Sequence, residues 1–334
     1  MQKRPCGASG IEVSVLGIGC WAYGGGEQDY WGAQDQSDVE AVVNAALDRG
    51  INYFDTAEAY NDGRSEASLG KALAKRRQEA VSGTKVSPEN TEPTALRKHC
   101  DASLQRLRTD CIDIYFVHWP ITKHSVQDAF ATLTELQSEG KIRSIAVSNF
   151  GAKQLSEALA TGAGIDVNQL CYNLVSRAIE VEILPLCLQR EIAVFAYMPL
   201  LQGILSGKYE ALDHIPPERT RTRHFRSDRP MSRHGEPGAE EEMVRVLDGL
   251  REISQQERIP MDQLALAWVM AKPGVASVLV GVRNMGQLER NAPAAELTLS
   301  RALAAQLDEL SDPLLQKLGA NADYFQGSAD SRMR

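Results

Sequence analysis

Eight short, almost wholly apolar runs rich in β-branched and aromatic residues recur along the chain, with amphipathic stretches between them. They are VLGIG (15–19), YFDTA (53–57), VSGTKV (81–86), IDIYFVH (112–118), IRSIAVSN (142–149), NQLCYN (168–173), AVFAYMP (193–199) and SVLVGV (277–282). Runs of this kind, without polar alternation, suit strands covered on both faces, as in a parallel sheet packed by helices. Strand and helix in alternation predict an α/β chain. Eight such units predict a (β/α)8 TIM barrel, a single domain over residues 1–334.

The helical patterns fall at 65–75, 94–107, 125–138, 152–160 and 180–190. Ahead of them, Ser37 and Glu40 predict a capping box on a first helix carrying Val39, Val42, Val43, Ala46 and Leu47, with Gly50 where it should stop. KRPCGASGIEVS at the N-terminus reads as a β-hairpin with a glycine turn, placed to plug the lower mouth of the barrel. Residues 203–240 break the rhythm, and a Gly-, Pro- and Arg-rich segment of that length predicts a lid over cofactor or substrate. Extra helices at 241–256 and 262–271 follow strand seven, and others at 285–291 and 301–310 follow strand eight. Residues 312–334 read as a polar tail that either closes over the site or straps the surface.

A doubly wound sheet is the rival architecture, but it requires G-x-G-x-x-G after the first strand, and GCWAYGGG (19–26) does not fit. The balance of 43% apolar and 24% charged residues is that of a globular protein, and a net charge of −8 speaks against a nucleic-acid surface. The basic run RTRHFRSDR (221–229) reads as a solvated loop, because Asp228 interrupts it. No signal-peptide core and no apolar stretch approaching the ~18 residues of a membrane span is found, so a cytoplasmic protein is expected. The six cysteines show neither CxxC nor metal-ligand spacing, so no metal site or disulfide framework is expected; Cys20 alone falls beside the candidate site.

Asp55, Tyr60, Lys85 and His118 lie at or just beyond the C-terminal ends of the second, third and fourth runs, the face where barrel enzymes place their chemistry. A phenol with a pKa of about 10 is a poor acid at neutral pH. A neighbouring ammonium stabilises the phenolate it leaves, a carboxylate holds the ammonium, and an imidazole orients the substrate oxygen or passes the proton. Together the four residues predict a site that reduces carbonyl groups.

FDTAEAY (54–60), the TK pair (84–85), VHWP (117–120) and VSNF (147–150) resemble the signatures of the aldo-keto reductase family. The likeness runs from the N-terminal hairpin to VLVGVRNMGQLERN (278–291). It implies an oxidoreductase using NADPH/NADP+, with Tyr60 as general acid or base and with Lys85, paired to Asp55, lowering its pKa. It also implies that Ser148, Asn149 and Gln169 hold the carboxamide and that Tyr197 stacks on the nicotinamide. PLLQGILSGKY (199–209) resembles the segment that wraps the pyrophosphate, pointing to Leu200, Gln202, Gly203, Leu205, Gly207 and Lys208. Gly281, Arg283, Gln287 and Asn291 match the positions that hold the 2′-phosphate. A Lys-Ser pair found elsewhere in the family is here Gly281-Val282, which removes one charge and leaves NADH possible. Trp21 and Trp119 are expected to wall a small-molecule carbonyl substrate. Two other readings share this family: a cofactor-binding regulatory subunit of a channel, and a sugar or polyol dehydrogenase.

Overall fold

The computed structural model describes all of residues 1–334. A two-stranded antiparallel hairpin, β1 (Lys3–Pro5) and β2 (Glu12–Ser14), precedes eight parallel strands. These are β3 (Leu16–Gly19), β4 (Tyr53–Asp55), β5 (Val81–Val86), β6 (Ile112–Val117), β7 (Ile142–Ser148), β8 (Ile165–Cys171), β9 (Ala193–Tyr197) and β10 (Val275–Gly281). They close in the order β10-β3-β4-β5-β6-β7-β8-β9, the (β/α)8 barrel expected, and a closed barrel excludes the open doubly wound sheet. The ring of helices comprises α1 (Gln36–Asp48), α2 (Arg64–Leu73), α3 (Pro93–Leu107), α4 (Val126–Ser138), α5 (Ala152–Leu159) and α6 (Ile183–Gln189). The extra helices α7 (Glu240–Glu257) and α8 (Met261–Met270) follow β9, and α9 (Met285–Asn291) and α10 (Arg301–Leu318) follow β10.

Two apolar layers explain the strand composition. Inside the barrel Tyr53, Ile114, Phe116, Val167, Phe195 and Leu279 pack together with Cys6, Ile11 and Val13 of the hairpin, which thus seals the N-terminal mouth. Outside it, the opposite strand faces meet the helices in a second, larger cluster. The hairpin turn approaches β8 so closely that a Cβ on Gly7, at φ 55°, would overlap the Asp166 carbonyl; only glycine fits there. Arg4 fastens the hairpin by donating to the carbonyls of Met270 and Val275, at 2.8 and 2.6 Å.

Several local expectations give way to tertiary contacts. α1 begins at Gln36 with Asp35 at its N-cap and no side-chain cap, so the Ser37–Glu40 capping box does not form; Gln36 reaches Glu40 instead, at 3.1 Å. Gly50, at φ 77°, ends this helix as expected. Strand β8 starts three residues before position 168, because the carboxylate of Asp166, polar enough to read as loop, accepts from the buried Ser144 hydroxyl at 2.7 Å. α10 continues eight residues past 310, through Pro313, since Leu307, Ser311, Leu314 and Leu318 keep one face buried beyond it. The basic run at 221–229 is no solvated loop over its first half: Thr222, Arg223, His224 and Phe225 are all buried. Arg223 ion-pairs with Glu236 at 2.6 Å and donates to the carbonyls of Leu318 and Asn321, at 2.7 and 2.9 Å, which binds the segment at 203–240 to the tail. No helix is long and apolar enough to cross a membrane.

Candidate active site

Parallel register sets the strand ends side by side: Asp55 pairs with Gly83, Ser148 with Gln169, and Cys171 with Tyr197. The residues at and just past those ends surround a cavity of about 580 Å³, within the range of small-molecule sites. Beneath it Lys85, fully buried, points its ammonium at Asp55 Oδ2 (2.7 Å), the Thr56 carbonyl (2.7 Å) and the Tyr60 hydroxyl (3.5 Å). Burial is the largest single influence and disfavours this ammonium, but Asp55 and Tyr60 together outweigh it and the Lys85 pKa ends above the ordinary value. Asp55 also accepts at Oδ1 from Gln169 Nε2 (2.7 Å) and from the Tyr53 hydroxyl (3.2 Å).

The Tyr60 ring opens into the cavity between Trp21, stacked at 5.8 Å, and His118, edge-on at 5.6 Å. Desolvation of its hydroxyl pushes the pKa up, Lys85 pulls it down, and desolvation wins. Net depression of this phenol, expected from the sequence, is therefore not found: Lys85 lowers the pKa only against a larger effect of burial. Burial, and then the Lys85 charge, hold the His118 pKa down at about 3, so the imidazole is neutral. Its backbone is fixed from both sides, N–H to the Val86 carbonyl and carbonyl to Asn149 Nδ2. Cys20 is fully buried with its thiol pKa pushed well up, mainly by burial, and is inert packing.

Ser148, Asn149, Gln169 and Tyr197 line the same cavity. Asn149 holds a left-handed conformation (φ 63°), donates to Ser148 Oγ at 3.1 Å and accepts from the Tyr197 hydroxyl at 2.7 Å. Further along, Leu200, Gln202, Gly203 and Lys208 line the cavity, with Gln202 (φ 56°) and Gly203 (φ 89°) in left-handed backbone that holds the segment curled. Leu205 and Gly207 do not reach it: Leu205 is core, and Gly207 backs onto Met261. Gly281, Arg283, Gln287 and Asn291 line it as well. There Arg283 donates to Gln34 Oε1 (3.1 Å) and the Ala33 carbonyl (2.6 Å), while its own N–H is accepted by Gln287 Oε1 (2.8 Å). Trp21 and Trp119 both wall the cavity, and the Arg332 guanidinium lies 3.8 Å over the Trp119 ring. The tail reaches the site through Phe325.

Sequence reading missed Arg219, Arg221, Trp31 and the ion pair of Arg290 with Asp262, all on the cavity wall. It also missed Tyr53, whose hydroxyl reaches Asp55 from below because Gly83 leaves the space; a Cβ on Gly83 would overlap that hydroxyl. A glycine inside a strand, two residues before a candidate lysine, is the one signal that pointed to it. Gly83→Ala is expected to cost about 1–3 kcal/mol by overpacking. Urea unfolding would register that loss, and adding Tyr53→Phe should recover part of it; a single variant as stable as the parent would refute the packing.

The donor set suits a nicotinamide dinucleotide. Buried Gln202 Nε2, Arg219 Nε and Arg221 Nε have no partner in the protein, and all three residues face the cavity. Unpaired donors of that kind call for anionic oxygens.

Comparison with known proteins agrees. The sequence profile of the Aldo/keto reductase family matches residues 15–312. An NADH-specific methylglyoxal reductase of Escherichia coli (strain K12) is 33% identical over 94% of this chain and 99% of its own. A probable voltage-gated potassium channel subunit beta of Arabidopsis thaliana is 28% identical over 89% of this chain and 92% of its own. Among solved structures, an aldo-keto reductase of Klebsiella pneumoniae in complex with NADPH superposes with a TM-score of 0.73 at 29% identity, covering 93% of this chain and 96% of that one.

Proposed function

The chain belongs to the Aldo/keto reductase family, and on that premise we propose that it reduces a small aldehyde or ketone, or oxidises the matching alcohol, at Tyr60 with NADP(H). The observation that carries this reading is a phenol open to the cavity with its hydroxyl 3.5 Å from a fully buried ammonium ion-paired to Asp55. Ser148, Asn149 and Gln169 would hold the carboxamide, Tyr197 the ring face, Gln202, Gly203 and Lys208 the pyrophosphate, and Arg283, Gln287 and Asn291 the adenosine phosphate. When bound, the cofactor supplies hydride to the carbonyl carbon. Tyr60 gives its proton to the carbonyl oxygen, and Lys85 stabilises the phenolate that remains. His118, neutral, donates its ring N–H to the same oxygen and fixes its direction. Trp21 and Trp119 exclude water from the reacting face. One site serves both directions, because the group that donates a proton in reduction accepts it in oxidation.

Assays of methylglyoxal, simple aldehydes, ketoses and polyols with each cofactor test the reading. Steady turnover supports it. The likeness to a channel subunit favours a second reading, a cofactor sensor, which would bind NADPH tightly and turn nothing over. For the cofactor itself, Arg283→Ala is expected to weaken NADPH by about tenfold or more, the worth of a charged hydrogen bond, and NADH by less than about twofold. Equal weakening, read by fluorescence titration, would remove Arg283 from the phosphate pocket.

A further inference from the structure

We propose that Glu58 is a positioning residue for the reaction: its carboxylate seats the turn that carries Tyr60 against the strand end that carries Lys85, and so holds the phenol in register with the ammonium. The proposal rests on the reductase reading above and adds to it a residue outside the cavity.

Glu58 lies between Asp55 and Tyr60 in the chain, yet it does not line the cavity. Its side chain is turned into the protein, 7% exposed. Oε1 accepts from the Ser87 backbone N–H (2.8 Å) and from Asn90 Nδ2 (2.8 Å), and Oε2 meets His99 Nδ1 at 2.7 Å. A carboxylate can only accept, so His99 Nδ1 is the donor. Three elements converge on this one group. They are the turn after β4, the turn after β5, in which Ser87 follows Lys85 by two residues, and α3, which carries His99. Hydrogen bonds to a charged acceptor are about twice as strong as neutral ones, and shielding from water strengthens them further.

The backbone alone does not give Tyr60 that support. Past the end of β4 the ladder to β5 continues through the Thr56 N–H to the Gly83 carbonyl (2.8 Å) and the Glu58 N–H to the Lys85 carbonyl (3.2 Å). There it stops. The Tyr60 N–H turns back on the Ala57 carbonyl (3.1 Å), Ala59 is exposed, and Asn61, Asp62 and Gly63 follow in left-handed backbone, at φ 50°, 53° and 79°. On the far side of the turn, Asn61 Nδ2 ties it to the carbonyls of Trp21 (3.0 Å) and Tyr23 (2.8 Å). On the Lys85 side the tie is Glu58, flanked by two alanines whose side chains can make none. The Tyr60 hydroxyl lies 3.5 Å from Lys85 Nζ, at the outer limit of a hydrogen bond, so a small drift of the turn breaks the contact.

The test compares the parent with Glu58→Ala, Glu58→Gln, His99→Ala and Arg97→Ala, using NADPH and the best-reduced aldehyde of the panel above. Glu58→Ala should slow the single-turnover oxidation of NADPH by about 10- to 100-fold, the effect of a misplacement of about 1 Å, while KM and the NADPH dissociation constant stay within about twofold. Glu58→Gln keeps an acceptor for Ser87 and Asn90 and should recover most of the rate. His99→Ala frees a single oxygen and should cost about three- to tenfold, the worth of one hydrogen bond. Arg97→Ala strips the same helix of its surface pairs with Glu135 and Glu139 and should leave the rate unchanged, which separates positioning from a general loosening of α3. A parent-like rate in Glu58→Ala overturns the proposal, as does a loss that Glu58→Gln fails to recover or that Arg97→Ala reproduces. If Glu58→Ala does not fold, His99→Ala decides alone, since its side chain is 34% exposed and the core does not depend on it: a parent-like rate there overturns the proposal. In each of these cases turnover by the parent keeps the reductase reading standing, whereas a parent that reduces no aldehyde ends both.

Discussion

Tyr60→Phe is expected to lower kcat for aldehyde reduction by about 10²–10⁴-fold, the usual worth of a positioned proton donor, while the cofactor dissociation constant stays within about twofold. The asymmetry follows from geometry: only the hydroxyl is removed, and the ring continues to fill the space between Trp21 and His118. The pH dependence is part of the same expectation. Tyr60 is held above its ordinary pKa of 10, so it stays protonated, and the enzyme competent for reduction, throughout neutral and mildly alkaline solution. The His118 pKa lies at about 3, so its imidazole stays neutral above pH 5. Reductive kcat/KM should therefore run flat from about pH 5 to 9 with no inflection near the free-histidine value of about 6.5. Parent-like turnover by Tyr60→Phe would remove the acid role. An inflection near 6.5 that disappears in His118→Gln would show that a charged imidazole takes part.

Lys85→Met should be the most damaging substitution for stability. It takes an ammonium from a fully buried position and leaves the Asp55 carboxylate, 3% exposed, with only Gln169 and Tyr53 as donors. Removing one partner of a buried pair costs about 3–5 kcal/mol, mainly the cost of the charge left behind. The double variant Lys85→Met/Asp55→Asn removes that charge and should regain most of the urea midpoint, while activity remains lost in both. If the single variant unfolds within about 1 kcal/mol of the parent, the pair is not the buried anchor it resembles. The sign of the pH effect is set by Lys85, whose pKa lies above the ordinary 10.5. The stability it contributes is complete below 10.5 and is lost only as pH rises through the higher folded value. Acid down to pH 5 should leave this contribution untouched.

Much of the architecture was legible along the chain because burial imposes a period. Val39, Val42, Val43, Ala46 and Leu47 mark the inner face of α1 in the sequence and are buried in the fold, and the eight apolar runs became the eight barrel strands. The candidate tetrad was legible for a related reason, since the ends of neighbouring parallel strands meet at one mouth whatever their loops do. Where local chemistry competed with distant partners, the local reading failed. The run at 221–229 has the composition of a solvated loop, yet Arg223 is buried by acceptors from Glu236 and the tail, 13 and nearly 100 residues away. The last helix, expected to end at 310, runs on through Pro313 because the apolar face around it stays buried.

By itself the sequence determined the period and order of the elements, and with them the face on which Asp55, Tyr60, Lys85 and His118 emerge. Tertiary structure alone decided that Tyr53 would reach Asp55 through the space left by Gly83, that Tyr60 would be desolvated more than Lys85 relieves it, and that Arg221 would face the cavity without a counter-ion. The physical reason is that periodicity comes from each residue's own preference for water or core, whereas a charge is settled by the sum of its neighbours, and those are chosen by closure of the barrel.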